Sequence, residues 1–393
     1  MGSIRILSVI AAVIMLFSVP LHSLADSFTE NAVQADVSAD NTSGTPEMSY
    51  VLMESRTKMV LDSSSPDSVI NAGYLSKLMT LLLIAEDIET GKFRLETELT
   101  ASQTVYGMKG SVVWLEPGDK MTVDELLKSL IIGNANDAAA VLAEASEHST
   151  EAFVSRMNSE AFDLGLRNTA FYSPYGFYDE REHTTAYELA LICAELSKYD
   201  TLTPYFQTWR DFVKEGKTEL VNENTLSRTY ERHIGFKESH SEHSGYCIAE
   251  AGRDENGTVF IAVVLGAEDS DSAESTARKL IRSGFTDYKV IEAAFPEEFL
   301  IPLKVLGGEE SAVMLSLRGG RLAAVPKSNG ELTTITVLPE YINAPVAAGQ
   351  VVGETAFYSG KTLAAEVEIV TRDSINALTY LYTLKDMLAG MLK

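Results

Sequence analysis

Tyr74 and Lys77 stand three positions apart at the head of an apolar stretch, a spacing that sets a phenol and an amine on one face of a helix. An amine so placed can take the proton of a hydroxyl as that hydroxyl attacks a carbonyl carbon, which is the chemistry of acyl transfer. Tyrosine serves such a pair poorly. Its oxygen lies several ångströms farther from the backbone than a serine oxygen, and a misplacement of ~1 Å can cost about a hundredfold in rate. Ser76 does not replace it, because a residue two positions on points away from the face of Tyr74. Two other groupings carry reactive types. Ser55-Arg56-Thr57-Lys58 repeats the hydroxyl–amine spacing, but it falls in a predicted hairpin, where no buried helix start presents it. His240-Ser241-Glu242-His243 offers metal-ligating types, yet on a strand-to-loop stretch it reads as solvated polar residues, so no metal and no cofactor are expected.

The elements that would position Tyr74 and Lys77 follow from the pattern around them. Leu75 to Ile88 is an apolar helix, too hydrophobic for a surface, and it carries the pair at its start. Tyr50 to Met53 and Met59 to Leu61 precede it as short strands of a hairpin. Pro117-Gly118 marks a turn, and Thr122-Val123-Asp124-Glu125 is a capping box opening a helix through Leu130. Further helices are predicted over Asp137 to Ser146, Thr150 to Leu164 and Thr185 to Leu196. Tyr246 to Ala251 and Val259 to Leu265 flank Asp254-Glu255-Asn256-Gly257, a hairpin signal, and Ser272 to Ser283 reads as a closing helix. After about Phe295, short Val, Leu and Ile runs broken by Gly-Gly, Pro or Asn-Gly indicate a small all-β domain.

The chain has 393 residues, 45% of them apolar, enough for two domains with a sizeable core. A formal net charge of −24 argues against a nucleic-acid partner, which would need clustered Lys and Arg. Arg5, the apolar run Ile6 to Val19 and Ser23-Leu24-Ala25 have the order of a secretory signal peptide, with cleavage expected after Ala25. A retained membrane anchor is the alternative, though the run is shorter than the ~20 residues a span needs. Export follows from either. Residues 26–46 read as a flexible linker. Cys193 and Cys247 are the only cysteines and read as buried small hydrophobes rather than a bridge. Residues 374–393 have the spacing of an amphipathic helix, lying on the membrane surface or packed on the β domain.

Three segments together carry a family resemblance. Residues 72 to 80, Ala-Gly-Tyr-Leu-Ser-Lys-Leu-Met-Thr, resemble the first active-site motif of the D-alanyl-D-alanine carboxypeptidases, the low-molecular-mass penicillin-binding proteins, with Tyr74 at the serine position and Lys77 at that of the base. Asn134-Ala135-Asn136 resembles the second motif, Ser-x-Asn. Asn136 matches the asparagine that holds the substrate backbone, and Asn134 replaces a serine that relays a proton, which an amide cannot do at neutral pH. Lys237-Glu238-Ser239 is similar to the third motif, Lys-Thr-Gly, whose threonine binds the substrate's terminal carboxylate. If Glu238 faced the cleft, two like charges ~4 Å apart at an effective dielectric of 20 would repel by about 4 kcal/mol. The likeness covers residues 47–290 and is fainter over residues 291–373.

The resemblance implies an α+β fold, an antiparallel sheet flanked by helices as in the β-lactamases and transpeptidases, followed by the small β domain. It implies an exported protein of peptidoglycan metabolism, at the cell wall or the outer face of the cytoplasmic membrane, whose partners are peptidoglycan stem peptides or cell-wall proteins. With a distinct chemical role removed from each motif, the expectation is a catalytically inactive homologue that binds or scaffolds. The alternatives are an active carboxypeptidase removing terminal D-alanine with a non-standard nucleophile, or an esterase on the same fold. Lys77, Asn136 and Lys237 either hold a ligand or tie a buried polar network together.

Overall fold

Alternation of apolar side chains builds a five-stranded antiparallel sheet from β1 (Ser49–Glu54), β2 (Val60–Ser64), β3 (His233–Ser241), β4 (Gly245–Arg253) and β5 (Val259–Ala267), in the order β2-β1-β5-β4-β3. The computed structural model describes residues 48–71, 73–292, 301–318, 322–328 and 332–380. β5 is buried at every position, as a central strand covered on both faces must be. Val51, Met53, Ile261 and Val263 face one core, while Leu52, Phe260, Ala262 and Val264 face a second.

On the first face lie α1 (Lys77–Glu89), α2 (Val123–Ile131), α3 (Asn136–Glu147), α4 (Thr150–Asp163) and α5 (Ala186–Leu196). α1 packs against α3, α4 and α5, which is why its sequence lacks a polar stripe. α2 begins at the expected capping box, with Thr122 and Glu125 exchanging side-chain and backbone hydrogen bonds. α6 (Ser270–Asp287) covers the opposite face through Ala273, Ala277, Leu280 and Ile281.

Tyr288–Glu292 leaves α6 and pairs with Leu322–Pro326, so the chain enters the β domain directly. There Leu315–Arg318, Thr362–Thr371, Val351–Ser359 and Leu332–Val337 form a four-stranded sheet in that order, beside smaller pairings and two small cores. The α+β class with a following all-β domain is as expected. Cys193 and Cys247 are both free and buried.

The helix predicted over residues 374–393 does not begin at its first residue. Ile375 and Ala377 form isolated bridges to Val346 and Gly308, and Ile375 is buried in the β-domain core. Burial of Ile375 and the backbone bonds exchanged with Val346 outweigh the helical spacing there. Residues 381–393, the signal peptide at 1–25 and the linker at 26–46 lie outside the described residues.

Candidate functional site

Tyr74 sits in a single 3-10 turn, Gly73–Ser76, that runs straight into α1, so Lys77 is the first α-helical residue and points into the protein. The turn lies against the edge strand β3, where the Ser239 hydroxyl accepts a hydrogen bond from the Tyr74 N–H at 3.2 Å. Behind it passes Gly176, at φ +77°, where a Cβ would lie 2.3 Å from the Gly73 carbonyl oxygen and 2.7 Å from the Tyr74 Cα. Only glycine fits that approach.

The Lys77 amine is fully buried and donates to the backbone carbonyl of Asn134 at 2.6 Å and to its side-chain oxygen at 2.8 Å. Asn134 takes a left-handed backbone, φ +53°, a conformation asparagine tolerates better than most residues. Burial lowers the Lys77 pKa well below the usual lysine range, and the Lys237 charge adds to this, opposed by Glu223 and Asp137. A lysine of this kind is suited to act as a base.

What the amine faces is a ring. Lys77 Nζ lies 4.9 Å from the centroid of the Tyr74 ring. The phenol oxygen reaches across the site to the segment at Gly110, whose φ is +79° and where a Cβ would come 3.5 Å from that oxygen and 2.7 Å from Asn136 Nδ2. The Tyr74 hydroxyl has no hydrogen-bond partner among the described residues.

Asn136 starts α3 and binds the same segment. Its side-chain amide donates to the Lys109 carbonyl at 2.8 Å and its backbone N–H to the Ser111 carbonyl at 2.7 Å. Asp137 continues the clamp, accepting from the N–H groups of Val113 and Leu115. Asn136 is fully buried, and its Oδ1 has no protein partner.

Lys237 and Glu238 diverge, as neighbours on a strand must. Lys237 turns to the helical face and donates to the carbonyls of Leu130 and Ile131, the exposed dipole end of α2, at 3.2 and 3.4 Å. Burial brings its pKa down to about 8, against the raising charges of Glu223 and Glu238. Glu238 pairs in register with Ile248, a residue of the α6-side core, and shares with Glu223, His240, Tyr246 and Ala273 a cavity of about 230 Å³. Burial raises its pKa to about 7, helped by the charges of Glu274 and Glu223. Glu238 makes no ion pair with Lys77 or Lys237 and does not point at the Tyr74–Lys77 face.

The site therefore gathers Tyr74, Lys77, Asn134, Asn136, Lys237 and Ser239, and leaves Glu238 on the other side of the strand. Strand alternation sets Glu238 on the face opposite Lys237 and Ser239, so the condition under which it would oppose a substrate carboxylate is not met. The other two groupings are tied up elsewhere. Ser55 bonds Ser197 and Lys58 pairs with Glu195. His240 stacks on Tyr246 and His243 on Tyr178. Sequence reasoning missed Asp137, Glu223, Gly176 and the Lys109–Leu115 segment. Asp137 in the first turn of a helix was the one legible signal, since such an acid is placed to accept orphan N–H groups.

Comparison with known proteins gives the family and the fold. The family model described as D-alanyl-D-alanine carboxypeptidase matches residues 35–269, and that of the penicillin-binding protein 5 C-terminal domain matches residues 301–377. The D-alanyl-D-alanine carboxypeptidase DacF of Bacillus subtilis is 29% identical over 343 residues, 86% of this chain and 88% of that protein. DacC of Escherichia coli, also a D-alanyl-D-alanine carboxypeptidase, is 27% identical over 80% of each chain. Among solved structures, penicillin-binding protein 5 of Haemophilus influenzae superimposes with a TM-score of 0.76 at 23% identity, covering 84% of this chain and 97% of its own.

Proposed function

The chain belongs to the D-alanyl-D-alanine carboxypeptidase family, and from that premise we propose that it is an exported, catalytically inactive member that binds or scaffolds at the cell wall. Its ligands are peptidoglycan stem peptides, the substrate class of the family, or a cell-wall protein. One observation carries the reading: the residue at the nucleophile position presents its ring to Lys77 and its oxygen to Gly110. Among the described residues no hydroxyl is hydrogen-bonded to the Lys77 amine. Its amine is instead occupied by both oxygens of Asn134, the residue that replaces the proton relay.

Incubation of the purified protein with a fluorescent penicillin is expected to leave it unlabelled, and a D-alanyl-D-alanine pentapeptide is expected to release no D-alanine. Stoichiometric acylation would overturn the proposal. A second reading, an active acyl-transferase using Tyr74, draws on the lowered pKa of Lys77. It requires D-alanine release that Lys77→Ala abolishes.

Location at the wall or on the outer membrane face rests on the signal-peptide pattern of residues 1–25 and on the family's substrate. A peripheral membrane contact by the tail, residues 381–393, belongs to the same proposal. Removing that tail is expected to shift the protein from the membrane to the soluble fraction.

A further inference from the structure

The face of α6 turned away from the sheet carries cations that the chain leaves unneutralised, although acids outnumber bases by 24. Arg278 and Arg282 stand one turn apart on α6, beside Lys279, and border a shallow groove of about 540 Å³ that Asp271, Glu274 and Ser275 also line. From the segment before β3, Arg232 reaches Phe285 of α6, and the exposed Arg228 neighbours Thr229 in sequence. Arg278 donates to the Thr229 hydroxyl at 2.9 Å, which joins the two elements.

None of these five cations forms an ion pair among the described residues. Glu274 is engaged by the Thr225 hydroxyl at 2.6 Å, and Glu231 is exposed. Two of the guanidiniums are held by rings instead. Arg232 lies 4.7 Å from the centroid of Phe285 and Arg228 lies 5.0 Å from that of Trp209. Tyr230, half-buried between the elements, has its pKa raised by burial and pulled back by the charges of Arg232, Arg282 and Arg278.

We propose that this face docks a polyanionic chain of phosphodiester groups, with Arg228, Arg232, Arg278 and Arg282 each presenting N–H donors to a phosphate. The reasons are chemical. A guanidinium stacked on an aromatic face keeps its edge free, and that planar fork fits phosphate with two parallel hydrogen bonds. The rise between Arg278 and Arg282 is ~6 Å, comparable to the separation of successive phosphates on a short polyol. Charge complementarity also selects a polyanion, since Arg278, Lys279 and Arg282 outnumber Asp271 and Glu274 in the groove and form no ion pair among the described residues. A bilayer surface fits less well, because Tyr230 and Phe285 lie half-buried beneath the guanidiniums and offer no apolar surface to insert.

The test uses the full chain and a short synthetic poly(glycerol phosphate), with binding followed by calorimetry across a salt series. Four phosphate contacts predict a slope of log K against log salt of roughly −3. Arg278→Gln/Arg282→Gln is expected to weaken binding at least tenfold and to halve the slope. Arg228→Gln/Arg232→Gln removes no hydrogen bond of the fold and is expected to do the same, so a folding defect in the first pair would not obscure the outcome. Lys289→Gln/Lys304→Gln, on strands outside the groove's lining, is expected to leave binding unchanged. Affinity untouched by either arginine pair, or an equal loss in the lysine control, overturns the proposal. So does capture by phosphatidylglycerol vesicles without binding of the polymer.

Discussion

Replacing Tyr74 with serine restores a hydroxyl to the turn but leaves Asn134 on the Lys77 amine, so the single substitution is expected to give almost no acylation by penicillin. Lys77 Nζ spends two hydrogen bonds on Asn134, at 2.6 and 2.8 Å, and an amide cannot pass a proton onward. A positioned acid–base group contributes about 10²–10⁴ in rate. Tyr74→Ser/Asn134→Ser is therefore expected to acylate about a hundredfold or more faster than Tyr74→Ser. Serine at residue 134 must accept a φ of +53°, a strain of about 1–2 kcal/mol, and the lost ring contact with Lys77 adds about 0.5–2 kcal/mol. Thermal melting is recorded beside the kinetics for that reason. The assay is time-resolved labelling with a fluorescent penicillin, with intact mass to confirm one adduct at residue 74. Because Glu238 faces α6, adding Glu238→Thr to the double variant is expected to change little. Equal labelling rates for the single and double variants would refute the argument, since the amide at Asn134 would then be no obstacle.

The remaining predictions concern the buried charges. Burial pushes the Glu182 carboxyl up to about 8, with the Tyr172 N–H opposing and the Asp179 charge assisting. The folded protein keeps a proton that the unfolded chain releases, so this group's contribution is intact below about pH 4.5 and lost as pH rises to about 8. Glu182→Gln is expected to flatten urea-denaturation stability across that window by up to about 3 kcal/mol at pH 7; an unchanged pH slope refutes this. Arg156→Ala removes the 2.8 Å partner of Asp87, which is 5% exposed, but leaves it Lys92 at 3.5 Å and the Ser146 hydroxyl at 2.6 Å, so a loss of about 1–3 kcal/mol is expected in urea. The loss should be smaller in an Asp87→Ala background. Lys77→Met preserves volume but leaves two oxygens of Asn134 without a donor, so a loss of about 1–3 kcal/mol is expected by thermal melting; a gain in stability would mean that Lys77 is not a structural tie.

Much of the scaffold was legible because local and global signals agree in it. The capping box at Thr122, the Asp254–Gly257 turn and the unbroken apolar run of α1 each determine an element without help from the rest of the chain. The positions of Lys77, Asn134 and Lys237 followed from the family pattern. The direction of Glu238 did not, because one residue of strand register decides which face it joins, and only the pairing with β4 sets that register. The role of Lys109–Leu115 was equally hidden. Nothing in that segment's own sequence announces that Asn136 and Asp137, more than twenty residues later, hold it against Tyr74. The bridges at Ile375 and Ala377 likewise depend on a partner strand far away in the chain.

Lys77, Lys237 and Asn136 each have a structural tie in the fold, whatever chemistry the site performs. Lys77 joins α1 to the Asn134 turn, Lys237 joins β3 to the end of α2, and Asn136 joins α3 to the Lys109 segment. Each satisfies a carbonyl that the fold exposes inside the protein, where an unpaired acceptor costs about 1–3 kcal/mol. The side chain at residue 74 has no such duty: the turn's contact with β3 is made by the backbone N–H of Tyr74, which any side chain permits. Substitution at residue 74 is therefore inexpensive for the fold, while substitution of the lysines or of Asn136 is not. The Oδ1 of Asn136, fully buried and unpartnered among the described residues, marks where the balance is incomplete, because an acceptor is left for a ligand amide or a water to satisfy. A cleft retired from catalysis and still used for binding would keep that acceptor.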